Sequence, residues 1–143
     1  FILRNRGAHM LIANGFEEIY NNLDFTDSIV EYINWENNLL DLVLTIDYYN
    51  SDEEEILKLR FKDCLKADFS LTTNLLTVPE EQKSSYSMSW YTIQDYKLLR
   101  DSELLKQYNQ KELLHFQIFT TDQVTPWLSV VSREIQVEKV MNI

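Results

Sequence analysis

Few residues in this sequence are equipped to do chemistry. Cys64, the only cysteine, directly follows Asp63. A nucleophilic thiol needs a base and electropositive surroundings, and a neighbouring anion raises its pKa instead, so Cys64 reads as a small buried residue. His115 sits in the apolar run Leu113-Leu114-His115-Phe116, the setting of a structural strand histidine. Every Ser-His-Asp triad would have to use it, and no nucleophile-elbow sequence occurs. Asp41 and Asp47 lie six residues apart, or about 20 Å along a strand at roughly 3.3 Å per residue. Glycoside hydrolysis needs carboxylates about 5 to 9.5 Å apart. The run Asp52-Glu53-Glu54-Glu55 lacks the alternating ligands and the glycine of a calcium loop. One Cys and two His do not make a zinc set, and two glycines do not make a phosphate cradle. The expectation is a protein with no catalytic residue, no metal and no cofactor.

The carboxylates carry a different message through their placement. The 143 residues have a net charge of −10. Gly7-Ala8-His9-Met10 is typical of vector-derived residues before a cloned initiator methionine, so residues 1–9 read as an expression-tag remnant and 10–143 as a single acidic β-rich domain. Without Arg4 and Arg6 the charge is −12. Leu11 to Leu57 contains twelve Asp and Glu and no Lys or Arg, whereas Lys58 to Ile143 is balanced. Such a segment attracts a basic protein and speeds its docking. It excludes nucleic acid and anionic membrane, which need clustered cations. Trp and Tyr are common interface anchors, so the candidate partner-binding residues are Trp35, Glu36, Asp41, Asp47, Tyr49, Asp52, Glu53, Glu54 and Glu55. Two plainer uses compete for the same charge: keeping the protein dispersed, and pairing with Lys58, Arg60 and Lys62 across a hairpin.

The elements that must position these residues are mostly strands. Leu11 to Leu23 has Ile12, Phe16, Ile19, Tyr20 and Leu23 at helical steps. Ser28 to Trp35 is β-branched and aromatic, with a turn at Glu36-Asn37-Asn38. Leu39 to Tyr49 alternates, placing Leu40, Leu42, Leu44, Ile46 and Tyr48 inward and Asp41, Thr45 and Asp47 outward. After the acidic turn, Leu57, Leu59 and Phe61 point inward, and alternation resumes at Leu65 beyond Asp63-Cys64, as two strands or one bent strand. Thr72 to Ser85 reads as an exposed connection, and Tyr86 to Ile93 has strand character. Asp101 to Tyr108 opens with capping residues and predicts a helix of two or three turns. Leu113 to Thr121 is a strand, Asp122 to Pro126 a turn, and Trp127 to Val140 a long strand with a bulge. The fold class is α+β: one curved, mainly antiparallel sheet with one or two short helices. No signal peptide and no run of roughly 20 apolar residues occurs, so a soluble cytoplasmic protein is expected.

Phe25-Thr26-Asp27-Ser28-Ile29, Leu40-Asp41-Leu42-Val43-Leu44-Thr45-Ile46-Asp47 and Leu57-Lys58-Leu59-Arg60-Phe61-Lys62-Asp63-Cys64 resemble small bacterial immunity proteins of polymorphic-toxin systems, of the kind encoded near a wall-associated toxin in Bacillus. The likeness spans residues 25–71, with Thr26-Asp27-Ser28 where relatives often carry His-Asp-Ser. It implies a protein that neutralises a cognate toxin, often a nuclease, by occlusion in the cytoplasm, and it carries over no catalytic residue. An acidic face suits the basic substrate cleft of such a toxin. The alternatives are a structural or regulatory domain that self-associates through β-strands, and a ligand-binding or hydrolytic domain with a tryptophan-lined pocket.

Overall fold

A computed structural model describes residues 9–70, 77–82, 91–120 and 124–141. Alternating side chains become strands here because one face of each can be buried. Strand β3 (Asp41–Tyr48) presents Leu42, Leu44, Ile46 and Tyr48 to the core. Strand β4 (Glu55–Phe69) answers with Phe61, Leu59 and Leu57 in antiparallel register. β4 in turn pairs with β7 (Leu128–Val140), which sets Ile135 and Val137 beside Phe61 and Leu59. Leu40, expected inward, lies in the turn just before β3 and is 51% exposed.

The remaining strands are β1 (His9–Asn14), β2 (Ile29–Glu36), β5 (Asp95–Leu99) and β6 (Leu114–Phe119). All seven form one antiparallel sheet in the order β2-β3-β4-β7-β6-β5, with β1 also paired to β7. β6 pairs with the first half of β7 and β1 with the second, so the two share the edge that β4 leaves free. The sheet curves without closing. At one corner β2 meets the segment leading into β5 in a single bridge, Ile29 to Thr92, supported by Asp27 N–H to Ile93 O and Ile93 N–H to Ser28 O, both 2.8 Å.

Inside the curve lies an aromatic cluster. Phe25, fully buried, packs edge-on against Tyr96 at 5.3 Å and against Tyr48 and Phe116 at 6.0 Å. Phe61 reaches Phe116 at 5.6 Å. Burying one such ring is worth roughly 1.5–3 kcal/mol.

Several local expectations are corrected. Residues 11–14 are strand, and helix α1 (Gly15–Asn22) begins only afterwards. Gly15 has φ +87°, the left-handed turn that carries the chain out of β1 and that glycine alone adopts freely. β1 begins at His9, inside the segment set aside as non-native. Residues 101–108 form only a 3-10 turn, Leu105–Gln107. The Ser102 hydroxyl caps it at the Leu105 N–H (3.3 Å), but Leu105 is drawn into a small apolar cluster with Leu113 and Val131. Strand β5 was not foreseen. The expected β7 bulge has its extra residue on the partner strand, since Cys64 pairs with Ser132 and Lys66 with Val131, leaving Leu65 over. β4 is one continuous strand through this point, where Asp63 adopts φ +51°. Most of the expected connection at 72–85, residues 86–90 of the expected strand at 86–93 and part of the turn at 122–126 lie outside the described residues; of residues 91–93, Thr92 forms an isolated bridge and no strand.

His115 on β6 is 5% exposed and is held between two hydroxyls, Ser102 Oγ at Nδ1 (2.9 Å) and Ser129 Oγ at Nε2 (2.8 Å). Burial pulls its pKa below the ordinary 6.5. The unfolded chain therefore binds a proton that the folded chain refuses, and this contribution to stability declines as pH falls below about 6.5 and keeps declining down to the folded-state value. Urea midpoints measured from pH 8 to pH 5 should show a steeper loss for the wild type than for His115→Gln; parallel profiles would mean that His115 charges as easily folded as unfolded.

Candidate partner-binding face

The acid-rich first third of the chain becomes β1, helix α1 with Glu17 and Glu18, and then the β2–β3 hairpin with the loop before it and the turn after it. The two loops at one end of the hairpin are bound together. Asn50 Nδ2 donates to Asp24 O (2.9 Å) and Thr26 O (2.8 Å). The Tyr49 N–H donates to Ser28 Oγ (3.0 Å), and the Asp24 N–H to Tyr48 Oη (3.0 Å). Strand pairing sets Asp47 opposite Ile29. These constraints bring Asp24, Asp27, Asp47, Asp52, Glu53 and Glu54 to a single end of the sheet, beside Tyr49, which is 66% exposed. Asp24 Oδ1 accepts from the Thr26 N–H, and Asp27 sits at φ +70°, a conformation that Asp tolerates better than most residues. None of these six carboxylates has a Lys or Arg partner among the described residues.

Three of the expected site residues are instead used internally. Asp41 is 3% exposed, accepts from the Asp63 N–H (3.1 Å) and lies 3.5 Å from Arg60. It was expected on the open face, and burial removes it from any partner's reach. Glu36 takes a 2.8 Å bond from Arg60 and a 3.1 Å bond from Asn34. Burial pushes its carboxyl up, but these two bonds and the charges of Arg60 and Lys58 outweigh that and hold it below the usual range. Glu55 accepts from Ser51 and pairs with Lys139 at 3.4 Å. Arg60 also lies 3.7 Å from Glu138, whose Oε1 is buried without a hydrogen bond. Burial draws the Arg60 pKa down, and Glu36, Glu138 and Asp41 together more than restore it.

Trp35 (41% exposed) sits at the opposite end of β2 from the acidic loops, near the hairpin apex. Asn37, Asn38 and Leu39 there have φ of +55°, +58° and +70° in succession, and Leu39 is 72% exposed. The expected site thus divides into an open acidic end with Tyr49 and an apolar apex with Trp35. Sequence reasoning missed Asn50, which ties the acidic loops together. Its signal was an asparagine next to the acidic run, with no indication of its distant partners.

Cys64 is half-buried and donates to Lys66 O at 3.5 Å. Burial pushes its thiol up and the charge of Asp41 adds to this; Asp63, expected to do so, is paired with Arg133 at 2.5 Å. Trp127 is buried against Tyr91 and Phe69, and Trp90 lies outside the described residues. Among the described residues no helix is long and apolar enough to cross a membrane. No protein-family profile, curated protein or solved structure matches the chain.

Arg60→Ala leaves Asp41 and Glu138 buried without their counter-charge and should destabilise the fold by about 3–5 kcal/mol. Replacing Asp52, Glu53 and Glu54 by Asn should stay within about 0.5 kcal/mol of wild type. Urea unfolding distinguishes the two, and equal losses would contradict this division of the charge. Leu39→Gly relieves ~1–2 kcal/mol of left-handed strain against ~0.4–1 kcal/mol of added unfolded-state entropy, so its unfolding midpoint should hold or rise.

Proposed function

We propose that the protein is a non-catalytic binding protein that neutralises a basic toxin by occlusion, in the manner of an immunity protein acting in the cytoplasm. The observation that carries this reading is the acidic end of the sheet. Six carboxylates without cationic partners among the described residues are held by hydrogen-bonded loops around an exposed tyrosine. Charge in excess of what folding requires steers a partner of opposite sign, and loops already ordered lose little entropy on docking. The resemblance over residues 25–71 supports the toxin as that partner. Nucleic acid does not suit such a surface, because phosphates would be repelled.

A second reading, self-association through strands, rests on the outer edge of β2. Among the described residues that edge is paired only at Ile29.

The deciding experiment is affinity capture from the native organism with the wild type and with a variant carrying Asp52→Lys, Glu53→Lys and Glu54→Lys. The expected result is one basic polypeptide, lost in the variant and weakened by salt, whose toxic activity the wild type inhibits stoichiometrically. Capture that is insensitive to charge reversal would remove the acidic end from this reading, and a salt-resistant dimer in sedimentation with nothing captured would replace it by the second.

A further inference from the structure

Among the described residues β2 is hydrogen-bonded along its length only to β3, and its other edge is bridged only at Ile29. Tyr32 is 70% exposed, and Ile33 and Trp35 are each 41% exposed. A cleft of about 280 Å³ runs beside this edge, lined by Val30, Glu31, Tyr32, Ile33 and Tyr91. Exposed edges are ordinarily guarded by Lys, Pro, inward charge or a bulge. β2 contains no Lys and no Pro, and its one irregularity is the register slip at Glu31.

The register defines what an added strand would meet. Ile33 and Trp35 stand opposite Leu44 and Leu42 and extend the buried face; Tyr32, Asn34 and Glu36 share the other face with Thr45, Val43 and Asp41. Charge at this edge has one sign, with Glu31 on the strand and Asp24 and Asp27 at its entry, none of them paired with Lys or Arg among the described residues. A second copy would bring the same acids and meet like charge, whereas a basic strand would be attracted.

We infer that the outer edge of β2 receives an extended segment of the basic partner, added antiparallel or parallel as a further strand, with apolar residues on the Ile33/Trp35 side alternating with Lys or Arg on the other. Main-chain hydrogen bonds supply affinity in such strand addition, and alternate side chains supply specificity. This inference rests on the proposed function, since the basic partner comes from there, and it specifies where and in what conformation that partner binds.

The test uses amide NMR on the intact chain with a short peptide alternating lysine and valine, and a control alternating glutamate and valine. The lysine peptide should shift the β2 amides and slow their hydrogen exchange, and the glutamate peptide should not. Of Ile33 and Asn34, one points its N–H at β3 and the other outward, so of Ile33→Pro and Asn34→Pro the variant that folds should bind the lysine peptide roughly tenfold more weakly. Shifts confined to residues 49–54, β2 amides already protected in the free protein, or dimerisation through β2 would each overturn the inference. Partner capture that survives in the folded proline variant but is lost when Asp52, Glu53 and Glu54 are reversed would overturn the edge while leaving the acidic end standing. Capture lost in the proline variant and insensitive to that reversal would support the edge and remove the acidic end.

Discussion

The burial of Phe25 ties the fold to its acidic end. The ring is caged by Tyr48 from β3, Tyr96 from β5 and Phe116 from β6, so one loop residue holds together strands that are far apart in the sheet order. Two of the cage residues also grip the backbone beside it: Tyr96 donates to Leu23 O at 3.2 Å, and Tyr48 accepts from the Asp24 N–H. A loop with acids on both sides of Phe25 would otherwise drift apart by self-repulsion. The phenol of Tyr96 registers this setting, with its pKa raised first by burial and then by the nearby charge of Asp24.

A second constraint divides the carboxylates by task. Arg60 is the cation around which Glu36, Asp41 and Glu138 gather, and it covers the face of the sheet away from the aromatic core. Ion pairs of this depth repay their desolvation only when the geometry is good. Here they fix the register of β2, β3, β4 and β7, because one guanidinium meets carboxylates from the other three strands. The surplus charge is thereby left at the far end of the hairpin, where Lys139 of β7 is taken up by Glu55. The resulting surface is polar and rigid at one end and apolar at the apex, a combination common to the rim and core of protein interfaces.

Much of this was legible in the residues. β3 and β4 announced themselves through alternation, because each packs a face into the core, and β2 through its β-branched and aromatic residues, with hairpin turns that carry asparagine or acid. The twelve-to-zero segregation of charge was also visible, as was the capacity of Arg60 to absorb part of it. Which carboxylates would be absorbed was not legible, since Glu36 and Glu55 are neutralised by residues whose proximity depends on strand order. The start of the chain misled because Ile12, Phe16 and Ile19 fall at helical spacing across a boundary that only Gly15 marks. β5 is short and offers just Tyr96 and Leu98 as a pattern, too little to separate it from a loop. At 101–108 the local capping signal was real, but tertiary packing of Leu105 overrode helical extension.

The position of β7 carries a consequence for how the chain is made. This strand lies at the centre of the sheet, flanked by β4 on one side and by β6 and β1 on the other, yet of the seven described strands it is the last to be synthesised. Until it emerges, β1 has no sheet to join and the inner edge of β4 stays open. Pairings of such long sequence separation form slowly, and unfinished sheet edges are where nascent chains stick to one another. The growing polypeptide therefore keeps unfinished sheet edges open until β7 emerges to pair with them.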